Sequence, residues 1–391
     1  MLTFNLALKN LMGAGTRTWL NVFVTALSFI LIILMTGMYQ GMDAHAKQVT
    51  IDSEIAGGAY WHPLYDPTDP FTLEDAHAIP PPSVVDLVDA GQAVPVLVAQ
   101  AAIYPNGRIM PVVLKGILPQ QDITNLPSAK LAEYDGASIP VIIGRGMAKR
   151  ANLNQGDTFT IRWLDASRTY DADEGIVVHI MSTENIKIDF GQIWIPLDRA
   201  QAMLSMAGEA TYVSYAQNLE PLAETDGWVH RDVGYLTRDM TALIEAKKPG
   251  TNVLFAILLA LAAMGIFNSQ MLSIFRRHKE IGTLMALGMT RSKVVGLFTT
   301  EGGLNAFLAL IMAGVLGGPL FYLTATYGIP LPLDYSEMGL IIASRLTPIY
   351  PLALFVSTTL LVSIIVTIVS YLPSRRIAKM KPTEALRGRI S

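Results

Sequence analysis

The stretch Phe275–Gly288 reads FRRHKEIGTLMALG and is followed at once by MTRSKV. It lies between two long apolar runs, so it reads as a short basic loop between membrane spans. Ile281, Leu284, Met285 and Leu287 have helical apolar spacing. Gly288 supplies a helix stop, and Thr290 can cap the start of the next helix. A small helix at a membrane surface, with an apolar stripe and flanking cations, suits docking against a soluble protein. An ordinary positive-inside loop with an interfacial helix explains the same residues. Spacing alone leaves both readings open.

The neighbouring runs decide the fold class. The 391 residues are 51% hydrophobic and 16% charged, too apolar for an ordinary soluble domain. A span needs about 20 residues without charge. Four windows qualify: Thr18–Met42, Pro249–Phe275, Gly302–Leu333 and Leu346–Ser374. Trp19 and Tyr39 near the ends of the first suit an aromatic belt. That first window is longer than a signal-peptide core and lacks a convincing cleavage site, so a retained anchor is expected.

Charge orients the spans. The segment Arg276–Lys293 carries five cations against one acid, and the tail from Arg375 carries six against one. Both are expected in the cytoplasm, as is the N-terminus with Lys9 and Arg17. The insert Asp43–Lys248 carries 15 Lys and Arg against 27 Asp and Glu, a net of −12, and is expected on the other side. The whole chain averages to −3, which hides this asymmetry. The predicted architecture is an α-helical integral membrane protein with four transmembrane helices. A large extracytoplasmic α+β domain is inserted between the first and second spans.

The chain has no cysteine, so this domain must be held by its own core rather than by disulfides. Strand-like runs occur at Val94–Gln100, Met110–Ile117, Ile139–Ile143, Thr158–Leu164, Ile176–Met181 and Gln192–Ile195. Helical patches fall at Val84–Ala90, Gly146–Leu153 and Asp198–Met206, the last with Asp198 as its expected cap. Gly156-Asp157 reads as a turn. Gly57–Pro82 is rich in Pro and aromatics and reads as an irregular excursion, either a packed surface loop or a lip that contacts substrate or partner.

Catalytic chemistry is absent from the pattern. A phosphate-cradling loop needs Gly followed by Lys, and that dipeptide occurs nowhere. Any ATP hydrolysis must belong to another polypeptide. The histidines His45, His62, His77, His179, His230 and His278 have no i, i+4 pair, so no metal site is expected. The basic tail follows a span and lacks interleaved aromatics, so topology explains it better than nucleic acid.

Resemblance sharpens this picture. The segment Phe275–Gly288, with the MTRSKV that follows it, is similar to the R-R-x-E-I-G-x-L-x-A-L-G-x-[ST] signature of the FtsX/MacB/Lol superfamily of ABC-transporter permeases. LALKNLMGAGTRTWL resembles that family's amphipathic entry helix, EGGLNAFLALIMAGVLGGPL its third span, and SYLPSRRIAKMKPTEALRG its C-terminal exit. Within the insert, VIIGRGMAKRANLNQGDTFTI and IWIPLDRAQAMLSM resemble blocks of the lipoprotein-release and macrolide-exporter branches.

The resemblance implies a layout. Residues 1–18 form a cytoplasmic entry helix, 19–42 the first span, 43–248 the periplasmic domain and 249–275 the second span. Residues 276–293 form a coupling loop, 294–326 the third span, 327–345 a short periplasmic loop, 346–373 the fourth span and 374–391 a basic tail. It also implies a multi-pass protein of the bacterial inner membrane, with both termini cytoplasmic.

The resemblance further implies roles. Arg277, Glu280, Ile281, Gly282, Leu284, Leu287, Gly288 and Arg291 would couple to a cytoplasmic ABC ATPase present in two copies. ATP and Mg would be bound there and no cofactor in this chain. Glu301, at the entry of the third span, would pair with cations of the coupling loop. Phe23, Phe29, Met35, Phe255, Met264 and Phe267 either meet lipid or line an acyl-chain cavity. Gly314 and Gly318 form a small-xxx-small pair for helix packing. A second permease, identical or related, would complete the path, with a periplasmic acceptor or adaptor and lipid or lipoprotein as further partners. Lipoprotein release is the favoured activity. The alternatives are efflux of drugs or peptides, and non-transporting regulation of a cell-wall hydrolase.

Overall fold

The computed structural model describes residues 16–183, 185–223, 225–330 and 345–377. The expected entry helix, most of the loop 327–345 and nearly all of the basic tail lie outside the described residues. So do a few helix side chains, among them those of Leu284 and His278.

In chain order, α1 is Thr16–Thr50, continued by a π-helical turn at Ile51–Ile55. Then follow β1 (Gly58–Trp61), a 3-10 turn (Pro70–Glu74), α2 (Pro82–Asp89), β2 (Ala93–Tyr104), β3 (Met110–Ile117) and α3 (Ala129–Ala132). Next come β4 (Ile139–Gly144), α4 (Arg145–Ala151), β5 (Thr158–Leu164), β6 (Tyr170–Met181), α5 (Ile186–Gly191), β7 (Gln192–Pro196) and α6 (Leu197–Leu204). β8 (Tyr212–Tyr215), β9 (Val229–Asp232) and α7 (Val233–Leu236) close the insert. The rest is α8 (Arg238–Arg276), α9 (His278–Ala286), α10 (Arg291–Tyr327), the pair β10 (Ile329–Pro330) and β11 (Arg345–Leu346), and α11 (Leu352–Ile377).

The described residues divide into two units: residues 43–243, and the remainder. In the inserted unit nine strands run in the order β3-β7-β4-β6-β5-β2-β8-β1-β9, and β3 also pairs with β2. That extra pairing closes six strands into a ring and leaves β8, β1 and β9 as an open extension. Period-2 alternation explains how the ring is filled. Leu97 and Ile103 of β2, Val141 and Ile143 of β4, and Ile161 of β5 share one buried cluster. Val96, Ile142 and Trp194, one position over on their strands, belong to another. Strand β5 alternates exposed and buried, whereas β4 is buried on both faces and is apolar throughout.

The six sequence-read strands are the six strands of the ring. Three further strands were not expected. β1 occupies the start of the segment read as irregular, which keeps a 3-10 turn and loops beyond it. Asp198 lies in the first turn of α6 rather than at its cap, which is Pro196. There it still faces the positive end of the helix dipole.

In the other unit, four helices are long and apolar enough to cross a membrane: those at Trp19–Ile55, Asn252–Arg276, Arg291–Tyr327 and Leu352–Arg375. The first and second helices run past the expected span limits, to Thr50 and back to Arg238. The fourth begins at Leu352 rather than 346, because Arg345–Leu346 pairs as β11 with β10.

The helical core gathers Val22, Ala26, Ile30 and Ile33 of α1, Ile266 of α8, Ala306, Ala309 and Ala313 of α10, and Val362 and Val366 of α11. Small residues on α10 let neighbours approach closely. The approach occurs at Gly317, where an added Cβ would lie 3.0 Å from Ile30. At Gly314 and Gly318 it would meet nothing, so the expected pair does not pack within the chain.

Candidate functional site

The loop between α8 and α10 folds as the sequence spacing requires, with one exception. α9 ends at Ala286, and Gly288 turns the chain at φ +96°. Only glycine adopts that conformation without strain. Thr290 occupies the N-cap position of α10, although its side chain makes no capping bond. The exception is the apolar stripe. At 100° per residue, Leu287 stands about 120° around the helix from Ile281. Ile281 is buried with Ile274, Val294 and Phe298, and Met285 and Met289 pack against them. Ile281 is therefore core of this chain and cannot also be a docking surface. Gly282 is buried as well. Leu287 is 80% exposed, and Glu280, Gly288 and Arg291 are exposed around it.

Arg277 anchors this helix. Its Nε donates to Glu280 at 3.0 Å, and its Nη1 donates to Glu301 at 3.3 Å. Its guanidinium lies 5.4 Å from the centre of the Phe298 ring. Glu301 is buried on α10, so the cation of the loop compensates an acid that the helix alone could not bury cheaply. The acid and its loop cation, separated by 24 residues, thus meet in one bidirectional brace.

At the next residue of α10 the neighbouring helices approach closely. A Cβ on Gly302 would lie 2.0 Å from Ser370 Oγ of α11 and 3.4 Å from Gln270 Nε2 of α8. Gln270 and Ser370 are both buried. Sequence reasoning missed this contact, because the Gly302-Gly303 pair beside Glu301 carries no helical-period signal.

The six aromatic and methionine candidates do not form one cavity. Phe29 is buried in the helical core, Phe23 and Met264 are 45% and 64% exposed, and Met35, Phe255 and Phe267 are half-buried. A crevice of only about 10 Å³, room for no more than a water, is instead lined by Thr25 and Ser28, Leu259, Ala262 and Ala263, and Val362, Ile365 and Val366. It includes none of the six.

The inserted unit holds its own buried charge. Lys115 of β3 is 3% exposed and pairs with Glu54 of the π-helical turn. It also donates to Tyr212 Oη at 3.3 Å and sits 5.0 Å from the Trp194 ring centre. Tyr65 stacks on Tyr212 at 5.8 Å. Burial, then the Glu54 charge, holds the Tyr212 phenol well above its usual range. In the Pro-rich segment, His77 bonds Glu209 through Nδ1 and the Glu74 carbonyl through Nε2 at 3.1 Å. Burial, then the neighbouring His77, depresses the His62 imidazole. Among the described residues no three His, Asp or Glu side chains could hold a metal ion.

Parts of this chain resemble known proteins. Residues 252–382 match the family described as FtsX-like permease C-terminal. The chain is 23% identical over 332 residues to the lipoprotein-releasing system transmembrane protein LolC of Neisseria meningitidis serogroup B, covering 75% of this chain and 77% of that one. It is 26% identical over 233 residues to an uncharacterized ABC transporter permease of Methanocaldococcus jannaschii, covering 54% of each. It is 28% identical over 162 residues to the macrolide export ATP-binding/permease protein MacB of Shewanella oneidensis, covering 40% of this chain and 21% of that one. Among solved structures, the extracellular domain of the ABC-type transporter YknZ from Gram-positive bacteria aligns with 41% of this chain and 83% of its own, at 12% identity and a TM-score of 0.25. The matched C-terminal region is that of an FtsX-like permease, and the chain as a whole is similar to ABC transporter permeases of the FtsX/MacB/Lol type.

Proposed function

We propose that this permease draws lipoproteins out of the membrane, driven by a separate ATPase that docks on α9. The observation that carries the substrate class is the extent of likeness. The match to LolC takes in 75% of this chain and 77% of the relative, whereas the match to MacB takes in 40% and 21%. The short-loop cations support a cytoplasmic α9 and an extracytoplasmic inserted unit. The docking face is then the exposed end of α9: Leu287 as the apolar contact, with Glu280 and Arg291 beside it. Arg277 and Glu301 transmit load from that face into α10, because the brace joins the loop to a buried position on the helix. ATP and Mg belong to the ATPase. Acyl chains enter beside α1, where Phe23 is exposed, and each buried methylene adds about 0.8 kcal/mol.

A photoreactive residue replacing Phe23 tests the substrate. In vesicles holding permease and ATPase it should trap acylated protein, and ATP should lower the yield. Capture of bulk lipid alone, with ATPase activity that responds to drugs or peptides, would replace lipoprotein release with efflux. Reporters fused near residues 150 and 285 test the topology. They should behave as extracytoplasmic and cytoplasmic respectively, and the reverse at either point sinks the orientation.

A further inference from the structure

The long helices are not all held alike. On α1, Gly37 and Gly41 stand four residues apart on one face, and both are buried. What covers them is not a helix but residues 347–350, the non-helical stretch before α11. A Cβ on Gly37 would fall on the Tyr350 ring, and one on Gly41 would fall on the Thr347 carbonyl oxygen. The Ile349 amide donates to the Gly37 carbonyl at 3.0 Å. Tyr350 then reaches α10: its Oη lies 2.9 Å from Thr324 Oγ1, and its ring centre is 5.0 Å from that of Phe321. Phe355 of α11 closes the group, 5.7 Å from Phe321. Main chain outside a helix is costly next to lipid unless its groups are met, and here the α1 backbone meets one of them. A single short segment therefore pins α1, α10 and α11 to one another.

Helix α8 has no such tie among the described residues. Ala262, Ile266, Gln270 and Ile274, four residues apart, are buried in the helical unit. Nearer the helix N-terminus, over residues 252–261, no side chain is buried, and Leu259 only reaches the edge of the helical core. Just before that loose stretch, Pro249 sits inside the helix, and a Cβ on the following Gly250 would meet nothing. Proline removes one helical hydrogen bond and glycine adds backbone freedom, so the helix is weakest there. α8 is thus packed along one half, loose along the next stretch and weakened at its end. Lipid covers the loose stretch without fixing its position.

We propose that residues 347–350 form a clasp that makes α1, α10 and α11 one body, with Tyr350 as its positioning residue. Residues 250–261 of α8 then swing against that body in the ATP cycle, between the Pro249 weak point and the packed half of the helix. The proposal rests on the permease reading, which supplies the ATPase that drives the swing.

The cysteine-free sequence permits a direct test. The full-length protein is purified with its ATPase into lipid vesicles, and two cysteine pairs are oxidised with and without ATP. Ser28→Cys with Leu259→Cys spans α1 and the loose stretch of α8, since both side chains line one crevice. Gly37→Cys with Tyr350→Cys spans the clasp. ATP should change the disulfide yield of the first pair by roughly threefold or more and leave that of the second unchanged. Once oxidised, the first pair should stop ATP turnover until reductant is added, and the second should not. Single substitutions beside Ser28→Cys and Leu259→Cys carry the same question if the clasp pair fails to fold. Tyr350→Phe keeps the ring on Gly37 and should preserve the ATP effect. Tyr350→Ala empties the clasp and should reduce it, as should Pro249→Ala, which removes the weak point, with thermal stability retained. An equal ATP effect on both pairs, no effect on the first, turnover lost on locking the clasp, or indifference to Tyr350→Ala and Pro249→Ala would each overturn the proposal. ATP hydrolysis by the reduced complex is the separate readout. If the ATPase binds and turns over while these results fail, the clasp is wrong and the permease reading stands. If the ATPase never binds, the permease reading is what fails.

Discussion

The inserted unit and the helical unit bury polar groups in opposite ways. In the inserted unit a six-strand ring surrounds an apolar cluster, and the charge it buries, Lys115, is met by Glu54, Tyr212 and an aromatic wall from the same unit. In the helical unit large apolar side chains face outward: Leu261, Met264, Val315, Tyr322 and Leu360 are each more than half exposed, and the inner contacts rest on Ala and Gly. A unit in water must satisfy itself. A unit in lipid gains nothing by hiding Leu, and holds together by close approach and a few polar braces.

Five substitutions probe this contrast, ordered by their effect on stability. Lys115→Met leaves Glu54 without the cation bonded to it and should cost about 3–5 kcal/mol. The readout is thermal unfolding of the purified protein, and adding Glu54→Gln should recover much of the loss. A cost under about 1 kcal/mol would mean the buried pair does not hold the inserted unit. Arg277→Met should cost about 2–3 kcal/mol, less than the first because Arg277 is 23% exposed where Lys115 is 3%. Its second readout is ATP turnover uncoupled from transport, and unchanged coupling would remove the brace from the mechanism.

Gly302→Ala should destabilise by about 1–3 kcal/mol, since its Cβ would fall on Ser370. Ser370→Gly in the same chain should restore part of this. Gly314→Ala meets open space and should be neutral or stabilising by up to about 1 kcal/mol. Equal effects at the two glycines would refute the packing. Leu287→Asp should change stability by no more than about 0.5 kcal/mol, because the side chain is already 80% exposed. It should nonetheless weaken ATPase docking by about 1–3 kcal/mol, through lost burial and a desolvated carboxylate. Full co-purification of the ATPase would place the docking face elsewhere.

What the sequence shows follows the same division. Strands β2 to β7 are legible because each carries β-branched residues in runs that fill one side of the ring or both. Strands β1, β8 and β9 hold four residues apiece, and β1 and β8 are buried throughout, so no alternation marks them. The helix α8 begins at Arg238, ahead of its span, because the polar residues there still favour helix without being apolar. Within the loop, Gly288 is readable as a stop from its residue type alone. The split between Ile281 and Leu287 is not, since both are apolar and only their angle about the axis and the position of Phe298 separate them.

The sequence by itself determined the four apolar helices, the place of the insert, six strands of its ring, the helical loop after Arg276 and the lack of a phosphate-binding loop. These depend on local composition and period, which neighbours in the chain carry. Tertiary structure alone decided that the ring closes through β2 and β3, that Lys115 meets Glu54 and that Arg277 meets Glu301. It also decided that Gly302 rather than Gly314 sits at a helix contact, and that Ile281 turns inward. Each of these joins residues far apart in the chain. Which partner a charge or a glycine finds depends on how elements pack, and no local pattern records that choice.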